Sequence, residues 1–109
     1  MSTPVTVYHN PRCSKSRAAL ALIEERGVKP RVVEYLKTPP DAATLRELLE
    51  MLGISARELV RTGEPEFKDN FRGREMSEAQ WLDALVAHPV LIERPIVVAG
   101  NRAVLGRPP

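Results

Sequence analysis

Two short runs rich in β-branched and aromatic residues, Val5-Thr6-Val7-Tyr8 and Arg31-Val32-Val33-Glu34-Tyr35, bracket a stretch of helical periodicity. No other feature of the chain constrains its fold as strongly. Each run has the length and composition of a strand. Between them, Ser14 to Arg26 places Ala19, Leu22 and Ile23 on one helical face, and Gly27 supplies a stop. Strands joined through a helix pair in parallel with a right-handed crossover, so the first third of the chain is expected to form a βαβ unit.

The middle of the chain reads as helical. Lys37-Thr38-Pro39-Pro40 breaks the strand pattern, and Asp41 then caps a helix with apolar positions Leu45, Leu48, Leu49 and Leu52, ended by Gly53. Ser55 and Glu58 form a capping box for a short third helix reaching about Arg61. Glu64 to Gly73 is polar and is expected to be irregular and mobile. Ser77 and Gln80 form a second capping box, opening a helix with Trp81, Leu82, Leu85 and Val86 that stops at His88-Pro89. Ile96-Val97-Val98 is a further strand, Gly100-Asn101 a tight turn, and Ala103-Val104-Leu105 its antiparallel return. The order β-α-β, helical insert, β-hairpin is the layout of a thioredoxin-like α/β domain: a mixed four-stranded sheet with an all-helical insert between the βαβ unit and the hairpin. Such domains ordinarily close with a helix after the last strand, and none is expected within these residues. The 109 residues suit one domain, 1–109.

Composition narrows the function. A formal net charge of +2, with both signs interspersed, makes no case for nucleic acid. No apolar run approaches the ~20 residues that span a bilayer. The start, Met1-Ser2-Thr3-Pro4, lacks the basic and apolar regions of a signal peptide. The chain has one cysteine, Cys13. One cysteine excludes an internal disulfide framework and a cysteine-rich zinc site, and no metal is expected. With no export signal, a lone cysteine fits a reducing, cytoplasmic compartment. Any redox chemistry at Cys13 must draw its second thiol from another molecule.

Cys13 falls where the first strand has ended and the first helix begins. There the backbone N–H groups lack intrahelical partners and the helix dipole adds positive potential, and both favour a thiolate. His9, Arg12 and Arg17 add basic character, and the Ser16 hydroxyl is a candidate hydrogen-bond donor to sulfur. Such surroundings lower a cysteine pKa from about 8.5 into the range ~3.5–7.5. The same N–H groups suit an oxyanion, so nucleophile and anion cradle coincide in one loop. A small buried cysteine in a simple turn is the plain alternative, and His9 alone reads equally as a solvated turn residue. Two other cysteine chemistries do not fit. A Cys-X5-Arg phosphatase loop needs arginine where Ala19 stands, and a Cys-X-X-Cys redox pair needs cysteine where Ser16 stands.

The run Tyr8-His9-Asn10-Pro11-Arg12-Cys13-Ser14-Lys15-Ser16-Arg17 resembles the active-site loop of the arsenate reductase family of the glutathione/glutaredoxin-dependent type. Leu59 to Pro65, His88 to Val98 and Leu105 to Pro108 resemble that family's later blocks, in order and with compatible spacing. The resemblance implies a thioredoxin-like enzyme in which the thiolate of Cys13 attacks arsenate, glutathione displaces the adduct and glutaredoxin clears the mixed disulfide. It implies that His9 helps to lower the cysteine pKa, that Ser16 hydrogen-bonds the sulfur, and that Arg61, Arg94 and Arg107 bind the oxyanion. Asn10, Arg12, Ser14, Arg17 and Pro95 would support the loop, with the Arg94-Pro95 bond in the position of the thioredoxin-fold cis-proline. Arsenate or a similar oxyanion, glutathione as co-substrate and glutaredoxin are the partners implied. A monomer with no bound cofactor, no nucleic acid and no membrane is expected. On the residues alone Arg61 and Arg107 read as surface cations, whereas Arg94 stands at the start of a buried strand. Guanidinium forks match tetrahedral oxyanions and screen their repulsion from a thiolate. One departure is Ser14-Lys15, where enzymes of this type commonly carry Gly-Thr.

Two rivals use the same fold. A monothiol reductase of another substrate would need Cys13 but not the arginine set. An Spx-like transcription regulator would bind RNA polymerase and commonly senses oxidation through Cys-X-X-Cys, which Ser16 removes.

Overall fold

The computed structural model describes residues 4–105. They divide into two compact units: one formed by the chain up to Thr38 and again from Arg94, the other by Pro39–Glu93.

The first unit holds the sheet, with strand order β2-β1-β3-β4. Strand β1 (Val5–His9) runs parallel to β2 (Arg31–Glu34), placing Val7 beside Val32 and His9 beside Glu34. On its other side β1 pairs antiparallel with β3 (Ile96–Ala99), which turns through Gly100, at φ +61°, into β4 (Arg102–Leu105). The mixed four-stranded sheet is the one expected from the element order. Between β1 and β2 runs α1 (Ser14–Glu25). Its buried residues are Ser16 and Ala19, whereas Leu22 is 38% exposed. The inward stripe therefore starts from Ser16 and omits Leu22, which the periodicity had placed on it. Val7, Ile96 and Tyr35 are buried, and each aliphatic side chain fully removed from water contributes roughly 1.5–3 kcal/mol.

The second unit is helical. In α2 (Ala42–Leu52), Asp41 accepts a 2.8 Å hydrogen bond from the Thr44 N–H, and Leu45, Leu48 and Leu49 form the buried stripe. The Ser55–Glu58 side-chain pairing is present, but the helix expected to reach Arg61 is a single 3-10 turn, Arg57–Leu59. The reason is long-range. Val60 turns extended and forms an antiparallel bridge with Ile92. Around it the Arg61 N–H donates to the Leu91 carbonyl at 2.7 Å, and the Glu93 N–H to the Leu59 carbonyl at 2.9 Å. These backbone groups are satisfied across the bridge, not along a helix.

Residues 64–73, expected to be irregular and mobile, contain α3 (Pro65–Asn70). Proline opens it at a position where the missing N–H costs nothing. Phe67 and Phe71 are buried and pack on Trp81 of α4 (Glu78–Ala87), with centroids 6.2 Å and 6.0 Å from the indole. The Arg57 guanidinium lies 5.4 Å from Phe67 and 5.2 Å from Trp81, close enough for cation–π attraction to both rings. Ser77 and Gln80 form both bonds of the expected capping box. Trp81, Leu82 and Leu85 are buried, while Val86 is exposed at the helix end.

Candidate functional site

The loop between β1 and α1 is closed by Asn10, a buried residue with three contacts to later loop residues. Its side-chain oxygen accepts from the Arg12 N–H at 3.0 Å, and its carbonyl accepts from the Cys13 N–H at 3.0 Å. Its own N–H donates to the Ser16 hydroxyl at 3.1 Å. Arg17 Nη1 donates to the Pro11 carbonyl at 2.8 Å, pinning the outer side of the turn. This geometry leaves Cys13 as the N-cap of α1, with extended backbone (φ −93°, ψ 120°) and a partly exposed thiol.

Burial is the largest single influence on that thiol and opposes its ionisation, but it is outweighed. The Ser16 N–H donates to sulfur, the Arg94 side chain adds a hydrogen bond and charge, and the Lys15 N–H donates as well. Together they hold the Cys13 pKa below the usual cysteine value. The N–H donors are the unpaired groups of the helix start, as expected from the cysteine's position. The charge differs from expectation. Arg94, not His9, Arg12 or Arg17, stabilises the thiolate.

His9 is 7% exposed, and its Nδ1 shares a 2.6 Å hydrogen bond with Ser16 Oγ. Burial lowers its pKa, Glu34 across the parallel register partly offsets this, and Arg17 lowers it further. At neutral pH the imidazole is therefore neutral and supplies no positive charge to the loop. Ser16, fully buried, serves the sulfur through its main chain, while its hydroxyl is engaged by His9 and Asn10.

Of the residues singled out in the sequence, His9, Asn10, Cys13, Ser16 and Arg94 form one connected constellation. Arg94 is 7% exposed, and its bond to the buried Pro95 is cis. Arg12, Ser14 and Arg17 are on the exposed side of the loop. Arg61 stands in the second unit, its Nε 3.1 Å from Glu93 and its Nη1 3.8 Å from Glu64. Nη1 is buried with no acceptor at hydrogen-bond distance, its ion-pair partner Glu64 standing 3.8 Å away. Arg107 lies outside the described residues. The sequence reading missed two contributions: Glu34 acting on His9, and the carboxylates that hold Arg61. Only the first had a signal, since a parallel β1–β2 register sets the two residues side by side. Among the described residues no three His, Cys, Asp or Glu side chains are grouped to hold a metal, and no helix is long and apolar enough to cross a membrane.

The chemistry available here is nucleophilic attack by a stabilised thiolate under a buried guanidinium. Residues 8–109 match the model of the ArsC family. The chain is 55% identical over 111 aligned positions, covering 100% of this chain and 93% of the relative, to a protein of Escherichia coli (strain K12) named YfgD and described as uncharacterized. It is 45% identical over 106 positions, 95% of this chain and 91% of the relative, to an arsenate reductase of Neisseria meningitidis. The fold superimposes on the solved arsenate reductase of Vibrio cholerae with a TM-score of 0.93 at 42% identity, covering 99% of this chain and 93% of that one. In sequence across nearly its whole length, and in the thioredoxin-like architecture that sets Cys13 beneath Arg94, this chain belongs to the ArsC family.

Proposed function

We propose that this protein reduces arsenate to arsenite through Cys13, with glutathione and glutaredoxin as reductants, as a cytoplasmic monomer. The observation that carries this reading is the Cys13 thiol held below its usual pKa by two main-chain N–H groups and Arg94. Relatives named arsenate reductase supply the substrate. In the first step the thiolate attacks arsenic, an As–S bond forms and water leaves after protonation of a departing oxygen. A glutathione thiolate then attacks the Cys13 sulfur. A disulfide forms, the As–S electron pair stays on arsenic, and As(V) becomes As(III). A second thiol attacks the mixed disulfide and returns Cys13 as thiolate. Overall, one arsenate and two thiols give one arsenite, one disulfide and one water. Glutaredoxin fits the last step, because a chain with one cysteine has no resolving thiol of its own.

Arg94 has two roles in this scheme. Its charge lowers the repulsion between thiolate and oxyanion, and its fork offers donors to both. Arg61, with an unfilled Nη1, and Arg107 are the further oxyanion ligands proposed. The test is arsenate-dependent NADPH oxidation coupled through glutathione reductase. Turnover that vanishes in Cys13→Ser and falls about a hundredfold or more in Arg94→Ala is expected, a loss of the size seen when one charge-stabilising donor is removed, ~10²–10³ in kcat. A folded protein with a reactive Cys13 and no arsenate turnover would assign the site to another substrate.

A further inference from the structure

Two acids stand beside Arg61, and they hold it differently. Val60 and Ile92 pair antiparallel with both side chains buried, and the backbone bonds from Arg61 to Leu91 and from Glu93 to Leu59 flank them. In that register Arg61 and Glu93 are diagonal neighbours on the face opposite to Val60 and Ile92, a separation that long side chains span. Glu93 Oε1 stands 3.1 Å from Arg61 Nε, whereas Glu64 Oε1 comes only to 3.8 Å from Nη1. Nη1 is buried with no acceptor at hydrogen-bond distance. The guanidinium is thus engaged at Nε and unsatisfied at Nη1.

Charge alone works against this arrangement. The ligand proposed for Arg61 is an anion, and two carboxylates beside one guanidinium leave the cluster formally negative. What Glu93 offers in return is geometry. An arginine side chain is rotamer-rich, and ordering it before the ligand arrives lowers the cost of binding. Its donors lie in one rigid planar fork, so fixing Nε also fixes the direction of both Nη nitrogens. Glu93 is itself fixed, with its N–H bonded at 2.9 Å across the bridge and Arg94 following it directly in the chain. We infer that Glu93 is a positioning residue, whose carboxylate holds Arg61 by Nε and aims the Nη end of the fork at the oxyanion. The inference rests on the oxyanion role proposed for Arg61 and adds what orients that side chain. It separates two effects of opposite sign. Removing the charge of Glu93 strengthens anion binding, and removing its hold on Nε weakens it.

Two substitutions of equal length divide these effects. Glu93→Gln loses the charge and keeps an oxygen that accepts from Nε, while Glu93→Met loses both. The probe is arsenate, titrated into the full chain carrying Cys13→Ser and followed by backbone amide NMR shifts, so no turnover is needed. Kd should not rise in Glu93→Gln. In Glu93→Met it is expected to rise about five- to twentyfold, below the ~10²-fold that a 1 Å misplacement can cost. On an Arg61→Gln background, Glu93→Met should weaken binding no further, to within about twofold, because the two residues act as a unit. With Cys13 restored, the same split should appear in KM while kcat changes by less than about twofold; a merely structural defect lowers the folded fraction, and with it kcat, and leaves KM in place. Equal Kd values for the two Glu93 variants, or the weaker binding in Glu93→Gln, would overturn the inference. So would a weakening in Glu93→Met that persists on the Arg61→Gln background, or one accompanied by an upward shift of the Cys13 thiolate curve, which would route it through Arg94. Failure of arsenate to bind the Cys13→Ser protein would remove the ligand from Arg61 and overturn it too. Binding with the expected split but without turnover would uphold it and refute only the proposed reduction.

Discussion

Ser16→Ala isolates the hydroxyl on which the loop is built. The substitution leaves the Ser16 N–H in place as a donor to sulfur and removes only Oγ, which is fully buried and bonded to His9 Nδ1 at 2.6 Å and the Asn10 N–H at 3.1 Å. Both partners belong to buried residues, and no water-facing rearrangement is open to the Asn10 main chain. A buried polar group stripped of its partner costs about 1–3 kcal/mol, so two such groups cost ~2–6 kcal/mol. Alanine recovers roughly 0.5 kcal/mol through its better helix propensity. Partial relaxation of the imidazole, whose other nitrogen can still find an acceptor, favours the lower half, and a net loss of about 2–4 kcal/mol is expected. With an m-value of ~2 kcal/mol/M, the urea midpoint followed by far-UV circular dichroism should drop by about 1–2 M. The matched control is Ser14→Ala. That hydroxyl is exposed two residues earlier, and its loss should stay within about 0.5 kcal/mol. Equal midpoints for the two variants would refute the claim that Ser16 Oγ is the tie holding His9 and Asn10 in the loop.

Other outcomes follow from the same contacts. In Arg94→Met, thiolate absorbance against pH should shift upward, since burial then opposes ionisation against only the Ser16 and Lys15 N–H groups; an unchanged curve would remove Arg94 from the sulfur. His9 has a folded-state pKa lowered mainly by burial, so its contribution to stability is complete above its unfolded value of ~6.5 and is lost as pH falls through the lower folded value. Urea midpoints of the native protein should therefore decline on acidification below ~6.5 more steeply than those of His9→Asn. Phe67→Ala empties a ring that is 7% exposed, stacked on Trp81 and approached by Arg57, and should cost ~3–5 kcal/mol; a loss under 1 kcal/mol would make α3 a loose surface turn.

The parts of this fold legible in the sequence are those written in local terms. Asp41, Ser77 and Gln80 cap the helices they were assigned, because a cap needs only residues three apart. The parallel pairing of β1 with β2 and the antiparallel hairpin of β3 and β4 also follow from what lies between the strands. The misreadings occurred where a distant residue decides. Phe67 and Phe71 are the two apolar side chains of a polar stretch, and only Trp81, a separate helix away, makes a core of them. Val60 left the expected helix for Ile92. Cys13 was legible as an N-cap nucleophile, but the identity of its activating charge was not. His9 looked basic because its burial is set by tertiary packing, and Arg94 reaches the sulfur only because β3 lies beside β1. No pattern near Arg61 announces its pairing with Glu93, which the Val60–Ile92 bridge brings about.

The sheet order gives this protein a built-in delay during synthesis. Strands β1 and β2 and helix α1 emerge from the ribosome early and can form the parallel pair with Cys13 already capping the helix. The antiparallel neighbour of β1 is β3, and it follows the entire helical unit. Until that strand arrives, the nascent Cys13 has the main-chain donors of its own helix but not the guanidinium of Arg94. A chain made only as far as the helical unit lacks the Arg94 contribution to its thiol, which arrives with β3.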